Sequence, residues 1–299
     1  MGCFNPDNKS FSDDANYEMY VDKTGLIEHL NKCLGTPNRC IAVSHARRFG
    51  KSQAARMIDA YYSKGSDSRE LFSRFEIAKS SDFEKHLNKY NVIHLDIASC
   101  TDLLRDRNLI DRITESLYGE MKEKYPDIPD ASLPIGKILL HIYQESGAPF
   151  VIIIDEWDCV VRNYPDRPDM VHEYLQFLHS LFKSEESRSF LALGYITGIL
   201  PIKKIKNESA LNNFMEYTML DSSPITKYFG FTKEEVEALC EKYNMDFETI
   251  KAWYNGYLID GRHMYNPNSV ASAMFRKAIK SYWRNTSSFE TINDLIMLN

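Results

Sequence analysis

The sequence has no Cys-x-x-Cys pair, no clustered histidines, no excess of positive charge and no apolar run long enough to cross a bilayer. Its six cysteines (Cys3, Cys33, Cys40, Cys100, Cys159, Cys240) are scattered along 299 residues. That spread excludes a zinc module or a disulfide scaffold and fits reduced thiols in a cytoplasmic protein. The longest largely apolar stretch, 190–202, falls short of the ~20 residues a membrane helix needs, so no membrane partner is expected. The N-terminus is polar where a secretion signal would be apolar. Met1-Gly2-Cys3 is followed by Pro6 where an acylation site needs Ser or Thr.

The formal net charge is −6, and from Ile225 onward nine Lys/Arg face nine Asp/Glu. A DNA reader should be basic, so charge does not support DNA as a partner. Lys203-Lys204-Ile205-Lys206 reads as a solvated face, with contact to a nucleic-acid backbone as the other reading. Nothing repeats at a fixed period.

What is present is ordinary globular composition, 43% hydrophobic and 26% charged, with a clear alternation of elements. Runs of strand length stand at 40–44, 92–96, 150–155 and 190–197, with a weaker one at 216–220. Helical stretches such as 51–62 and 109–124 separate them. Continuous apolar strands alternating with helices predict a parallel sheet covered on both faces. The last quarter differs. Thr232 followed by Glu235 forms a capping-box pattern that starts a helix to about Tyr243. Asp246 caps a second helix to Tyr254, and Asn255-Gly256 predicts a turn. Asp260-Gly261 sits where a hairpin turn would, and Asn266-Pro267 opens a helix to about Trp283. Trp253, Tyr254 and Tyr257 read as core residues. The expected fold is α/β: a P-loop domain over residues 1–222 and a small helical, winged-helix-like module over 223–299.

Gly50-Lys51-Ser52 follows the first strand and opens a helix, the context in which backbone amides surround phosphates. The expected cradle runs through His45, Ala46, Arg47, Arg48, Phe49, Gly50, Lys51, Ser52 and Gln53. Lys51 would reach the β- and γ-phosphates of ATP and Ser52 would ligate Mg²⁺. His45 stands where the first glycine of the full pattern belongs, and would have to tolerate a positive φ. Arg47 and Arg48 could meet phosphates, an acidic partner or only solvent.

Phe150 to Asp155 is an apolar strand ending in Asp155-Glu156. The first acid is placed for Mg²⁺, and Glu156 is the candidate general base for water. Thr197, near the end of the next strand, is placed to touch the γ-phosphate or that water. Together these make a P-loop core of the additional-strand, catalytic-glutamate type, an ATP hydrolase. The alternative is a nucleotide-dependent switch or DNA-associated regulatory module with little turnover. Asp158 reads as a helix cap. Arg162 and Arg167 are candidates for an arginine supplied to a second copy or another partner protein. Tyr20 to Thr24 could flank adenine, or Asp22 or Thr24 could cap the helix that follows.

The chain also carries Tyr20-Val21-Asp22-Lys23-Thr24, Arg47-Arg48-Phe49-Gly50-Lys51-Ser52, Ile154-Asp155-Glu156, Thr197-Gly198-Ile199-Leu200, Tyr228-Phe229-Gly230-Phe231, Trp253-Tyr254-Asn255-Gly256-Tyr257 and Tyr265-Asn266-Pro267. In that combination it resembles the bacterial and archaeal AAA-ATPase-like family, whose members often carry a C-terminal PD-(D/E)xK nuclease-like domain. The resemblance covers nearly the whole sequence and implies adenine nucleotide and magnesium. It departs at His45-Ala46, where members commonly have Arg-Pro. After Ile225, Glu241-Lys242 and Asp246-Phe247-Glu248 lack the Asp/Glu-x-Lys spacing of a nuclease site, so the resemblance implies an ATPase module without the nuclease-like domain.

Overall fold

A computed structural model describes residues 2–102, 108–204 and 211–282 of the chain. Five parallel strands form its centre: β1 (Cys40–Ser44), β2 (Asn91–Asp96), β3 (Phe150–Asp155), β4 (Leu191–Gly198) and β5 (Met215–Thr218), in the order β2-β3-β4-β1-β5. The strands are apolar on both faces because both faces are covered. Phe150, Ile152 and Ile154 of β3 enter one apolar layer, and Val151 and Ile153 enter the other. β1 divides the same way, Cys40 and Ala42 against Ile41 and Val43. The helices Leu109–Lys124, Ile135–Ser146 and Pro168–Phe182 contribute to the first layer. Gly25–Cys33 and Lys51–Tyr62 contribute to the second.

β4 lies between β1 and β3, the arrangement expected of the additional-strand class. It begins one residue later than the sequence predicts, because Phe190 ends a short helix, Ser187–Phe190. The weak fifth strand is Met215–Thr218 rather than 216–220. Thr218 and Asp221 exchange backbone hydrogen bonds that turn the chain there.

A second, antiparallel sheet is built from β6 (Phe231–Thr232), β7 (Asn255–Ile259) and β8 (Arg262–Tyr265), in the order β6-β8-β7. The helices Lys233–Tyr243, Phe247–Tyr254 and Pro267–Arg276 pack on it around their own apolar cluster. Thr232 and Glu235 make both bonds of the capping box. Asp260 and Gly261 turn the hairpin with φ of 48° and 72°, the left-handed pair that matches strand twist.

Three expectations fail here. Asn255-Gly256 does not turn: the helix runs straight into β7, and a bulge between Asn255 and Tyr257 absorbs the change of period. The last helix stops at Arg276, where Lys277 adopts a left-handed φ of 50° and caps it. The predicted end at Trp283 lies outside the described residues. Trp253 is exposed, whereas Tyr254 is buried.

The N-terminal segment belongs to both parts. Met19 joins the apolar cluster of the second sheet. The Lys23 ammonium meets Glu235 at 2.6 Å and the Lys227 carbonyl at 2.7 Å, and Lys242 donates to the Glu18 carbonyl at 2.7 Å. Truncating Ile152, which is fully buried in the central strand, should cost about 2–5 kcal/mol as Ile152→Ala. A denaturant midpoint shifted by less would mean that the layer collapses to fill the space.

Candidate functional site

Three strand ends build the site: β1, β3 and β4 all finish on the same edge of the sheet, where open parallel sheets bind ligands. After Ser44 the chain loops to Gly50 and enters the helix Lys51–Tyr62. Gly50 holds φ at 88° and Arg48 at 67°. Gly50 is therefore required by its backbone angle.

His45 is not where the sequence suggests. Its φ is not left-handed, and Arg48 makes the reversal instead. The His45 amide donates to the Gly198 carbonyl at 3.1 Å. Its ring is buried, with centroids 5.1 Å from Phe229 and 6.2 Å from Phe49. Phe49 is also buried, edge-on to Tyr257, and its carbonyl accepts from the Gly230 amide at 3.0 Å. The Ala46 amide points at Met219 Sδ. Of the nine expected cradle residues, Arg47, Arg48, Gly50, Lys51, Ser52 and Gln53 line a cavity of about 530 Å³, and His45, Ala46 and Phe49 do not.

Lys51 is buried, and its Nζ donates to the carbonyls of His45 at 2.8 Å and Ala46 at 3.0 Å. Burial pushes its pKa down, opposed by the carboxylates of Glu156, Asp155 and Asp158. The same burial lowers His45 to about 3, helped by the Lys51 charge and opposed by Asp260.

At the end of β3, Asp155 is buried; its Oδ1 accepts from the Thr197 hydroxyl and from the Glu156 amide at 3.0 Å. Thr197 is fully buried and does not line the cavity. Its hydroxyl is engaged by Asp155 in this structure. Glu156 turns into the cavity with a left-handed φ of 52°. Burial raises its pKa, while the Lys51 ammonium opposes.

Asp158 occupies the position before the helix Cys159–Asn163 but does not cap it. Its Oδ2 accepts instead from the amides of Ile199 and Leu200, at 3.1 and 2.8 Å, and from Arg162 Nε at 2.8 Å. Arg162 Nη2 donates to Glu156 Oε2 at 3.0 Å, so this arginine is engaged inside its own chain. The Asp158–Arg162 spacing of four on a helix was a legible sign of an ion pair; its link to Glu156 was not. Gly198 permits this packing, since a Cβ there would stand 2.6 Å from Trp157 Nε1.

The other wall of the cavity comes from Tyr17, Met19, Tyr20 and Val21, and from Phe231, Asn266 to Ser269, Ala271 and Tyr282. Sequence reasoning placed Tyr20 and Val21 near the nucleotide; Phe231, Asn266 and Pro267 stood only in motifs shared with the family, and no motif marks Asn268, Ser269, Ala271 or Tyr282. Neither Asp22 nor Thr24 caps its helix. The Asp22 carboxylate accepts the Thr24 and Glu76 amides, and the Thr24 hydroxyl accepts the Ile77 amide. A second cavity of about 620 Å³ shares Ser52 and Arg56 with the first and also touches Asp155, Asp59, His94 and Asp96. Among the described residues no group of three or more His, Cys, Asp or Glu is spaced to hold a metal. Ser52 and Asp155 suit magnesium, which needs few protein ligands because it keeps its waters. Lys203 is exposed, and Ile205 and Lys206 lie outside the described residues.

A family model described as predicted AAA-ATPase matches residues 10–206. The chain belongs to this predicted AAA-ATPase family. A curated relative, "Uncharacterized protein in vnfD 5'region" of Azotobacter chroococcum mcd 1, is 25% identical over 285 residues, covering 93% of this chain and 52% of the relative. The chain thus spans about half the length of that relative. Among solved structures, AMPPCP-bound DnaA from Aquifex aeolicus matches at 9% identity with a TM-score of 0.42, over 93% of this chain and 68% of that one. The ORC2 protein of Aeropyrum pernix, in ADPNP-ADP complexes, matches at 12% identity and a TM-score of 0.42, over 81% and 56%. No helix among the described residues is long and apolar enough to cross a membrane.

The buried His45 has a sign-definite consequence. Its folded pKa lies below the ordinary 6.5, so the unfolded chain takes up the proton first as pH falls. The stability from keeping this ring neutral is complete above about pH 6.5 and is lost progressively toward pH 3. Between pH 7 and 5 the loss should be about 2 kcal/mol. Urea unfolding at both pH values checks it, and His45→Leu should flatten the difference by that amount.

Proposed function

We propose that this chain binds ATP with magnesium in the 530 Å³ cavity and hydrolyses it. The observation that carries the reading is the convergence of Gly50, Lys51, Ser52 and Glu156 on one cavity, with Ser52 and Asp155 both lining the second cavity that adjoins it. The amides at the start of the helix Lys51–Tyr62 and the Lys51 ammonium would meet the β- and γ-phosphates. The base and ribose would lie toward Tyr17 to Val21 and the second sheet. Ser52 and Asp155 would hold magnesium, which when bound neutralises phosphate charge. Glu156 accepts the proton of the attacking water as its oxygen bonds to the γ-phosphorus. The bond from that phosphorus to the bridging oxygen breaks, and its electron pair leaves with ADP. Burial makes Glu156 a better proton acceptor than an exposed carboxylate.

A specific observation also favours the switch reading. The loop touches the second sheet directly, through Phe49 against Tyr257 and the Gly230 amide on the Phe49 carbonyl. Nucleotide that reshapes the loop would then move the module, whether turnover is fast or slow. Assembly with a second copy or another protein, and a cytoplasmic location, are parts of the same proposal.

Lys51→Ala should reduce ATP affinity by at least about tenfold in calorimetry while the protein stays folded. Glu156→Gln should retain ATP binding and lose turnover by about 10²–10⁴-fold. Wild-type turnover in Glu156→Gln would remove the glutamate from its role. Tight binding with negligible turnover in the wild type would favour the switch.

A further inference from the structure

Glu156 stands one residue beyond β3, outside regular structure and in the left-handed region that few non-glycine residues occupy. Its side chain has three torsions, and a base that samples them freely spends little time aimed at its water. The backbone at this point does not set where the carboxylate lies. A single guanidinium does: Arg162 Nη2 donates to Glu156 Oε2 at 3.0 Å.

Arg162 is itself fixed. Its Nε donates to Asp158 Oδ2 at 2.8 Å, and the Asp158 side chain is fully buried. The same Oδ2 accepts the amides of Ile199 and Leu200 just beyond β4. A continuous chain of bonds therefore runs from the end of β4 through Asp158 and Arg162 to Glu156. Only 13% of the Arg162 side chain is exposed, and two edges of its fork are committed within this chain. That leaves it badly placed to act on another copy.

From this geometry we infer that Arg162 is the positioning residue for Glu156, holding the carboxylate toward the nucleotide cavity from the rigid end of β4. The inference rests on Glu156 being the base. Arginine is needed because a planar fork can hold two carboxylates at fixed angles, whereas an ammonium is a point charge on a flexible stem. The residue touches neither substrate nor metal. Its effect belongs on kcat rather than on ATP binding.

The test measures steady-state turnover of wild type, Arg162→Met, Arg162→Lys, Glu156→Gln and Glu156→Gln/Arg162→Met with magnesium and ATP, alongside ATP affinity and circular dichroism. Arg162→Met should lower kcat on the order of 10²-fold, the cost of a misplaced catalytic group. Its KM should stay within about twofold, as expected when ground-state binding is untouched. Arg162→Lys should recover part of the loss. In the Glu156→Gln background, Arg162→Met should add no further loss, because the residue acts only through that carboxylate. Wild-type kcat in Arg162→Met overturns the inference, as does an equal additional loss in the glutamine background. If Arg162→Met does not fold, Arg162→Lys decides alone: a kcat drop at constant KM supports the inference, and unchanged kcat overturns it. A wild type that does not turn over ATP defeats the hydrolase reading and the inference together, and the wild-type arm shows that before any variant is compared.

Discussion

A lysine ammonium held out of water constrains the rest of the site. Removing such a charge from solvent costs several kcal/mol unless it is paired. Lys51 is buried at the start of its helix, and the partners nearest to it are carbonyls of its own loop. For those carbonyls to point inward the loop must reverse on itself. It does so at Arg48 and Gly50, the two positions with left-handed φ. The ring of His45 is then turned away into an apolar pocket, where it must stay neutral beside the lysine. One buried charge thus accounts for the loop conformation and the glycine, and it adds to the burial that keeps His45 neutral.

The acids that balance Lys51 need partners in turn, and each finds a different kind. Asp155 takes a hydroxyl from Thr197 and an amide from Glu156. Asp158 takes two amides and a guanidinium. Among the described residues, Glu156 takes the guanidinium's other edge. The buried carboxylate with most donors is the best fixed, and the one facing the cavity is the least. β4 supplies these donors from its end and just beyond it, Thr197 and then Ile199 and Leu200, between β3, which ends in Asp155, and β1, whose loop leads to Lys51.

How much of this was legible varied with the range of the interaction. The parallel strands announced themselves because residues buried on both faces must be apolar without interruption. The capping box and the Asp-Gly turn were legible because local backbone geometry demands those residue types. Gly50-Lys51-Ser52 and Asp155-Glu156 were visible as motifs for the same local reasons. What the motifs did not show depended on how the side chains pack. His45 was read against a glycine pattern, whereas its environment is set by Phe229 and Phe49. The bond from the Thr197 hydroxyl to Asp155 on the neighbouring strand was not visible in the sequence either. Tyr282 and Asn268 line the cavity with no motif to mark them, because packing of the second sheet brings them there.

That packing explains why the second sheet and the loop form one mechanical unit. The loop's inner side is polar, carrying the Lys51 bonds, and its outer side is apolar, presenting Phe49. An apolar outer side must be covered, and Tyr257 and Gly230 cover it. Gly230 is glycine for two reasons: its φ is 91°, and a Cβ there would stand 3.0 Å from the Phe49 ring. The N-terminal segment fastens the same junction from the other side, through Lys23 on Glu235 and Lys242 on the Glu18 carbonyl. The Lys23 bond is well shielded, and burial lowers that lysine's pKa while Glu235 holds it up. The cavity therefore has walls from stretches far apart in the chain, and the loop cannot change its backbone without moving a ring that the second sheet holds.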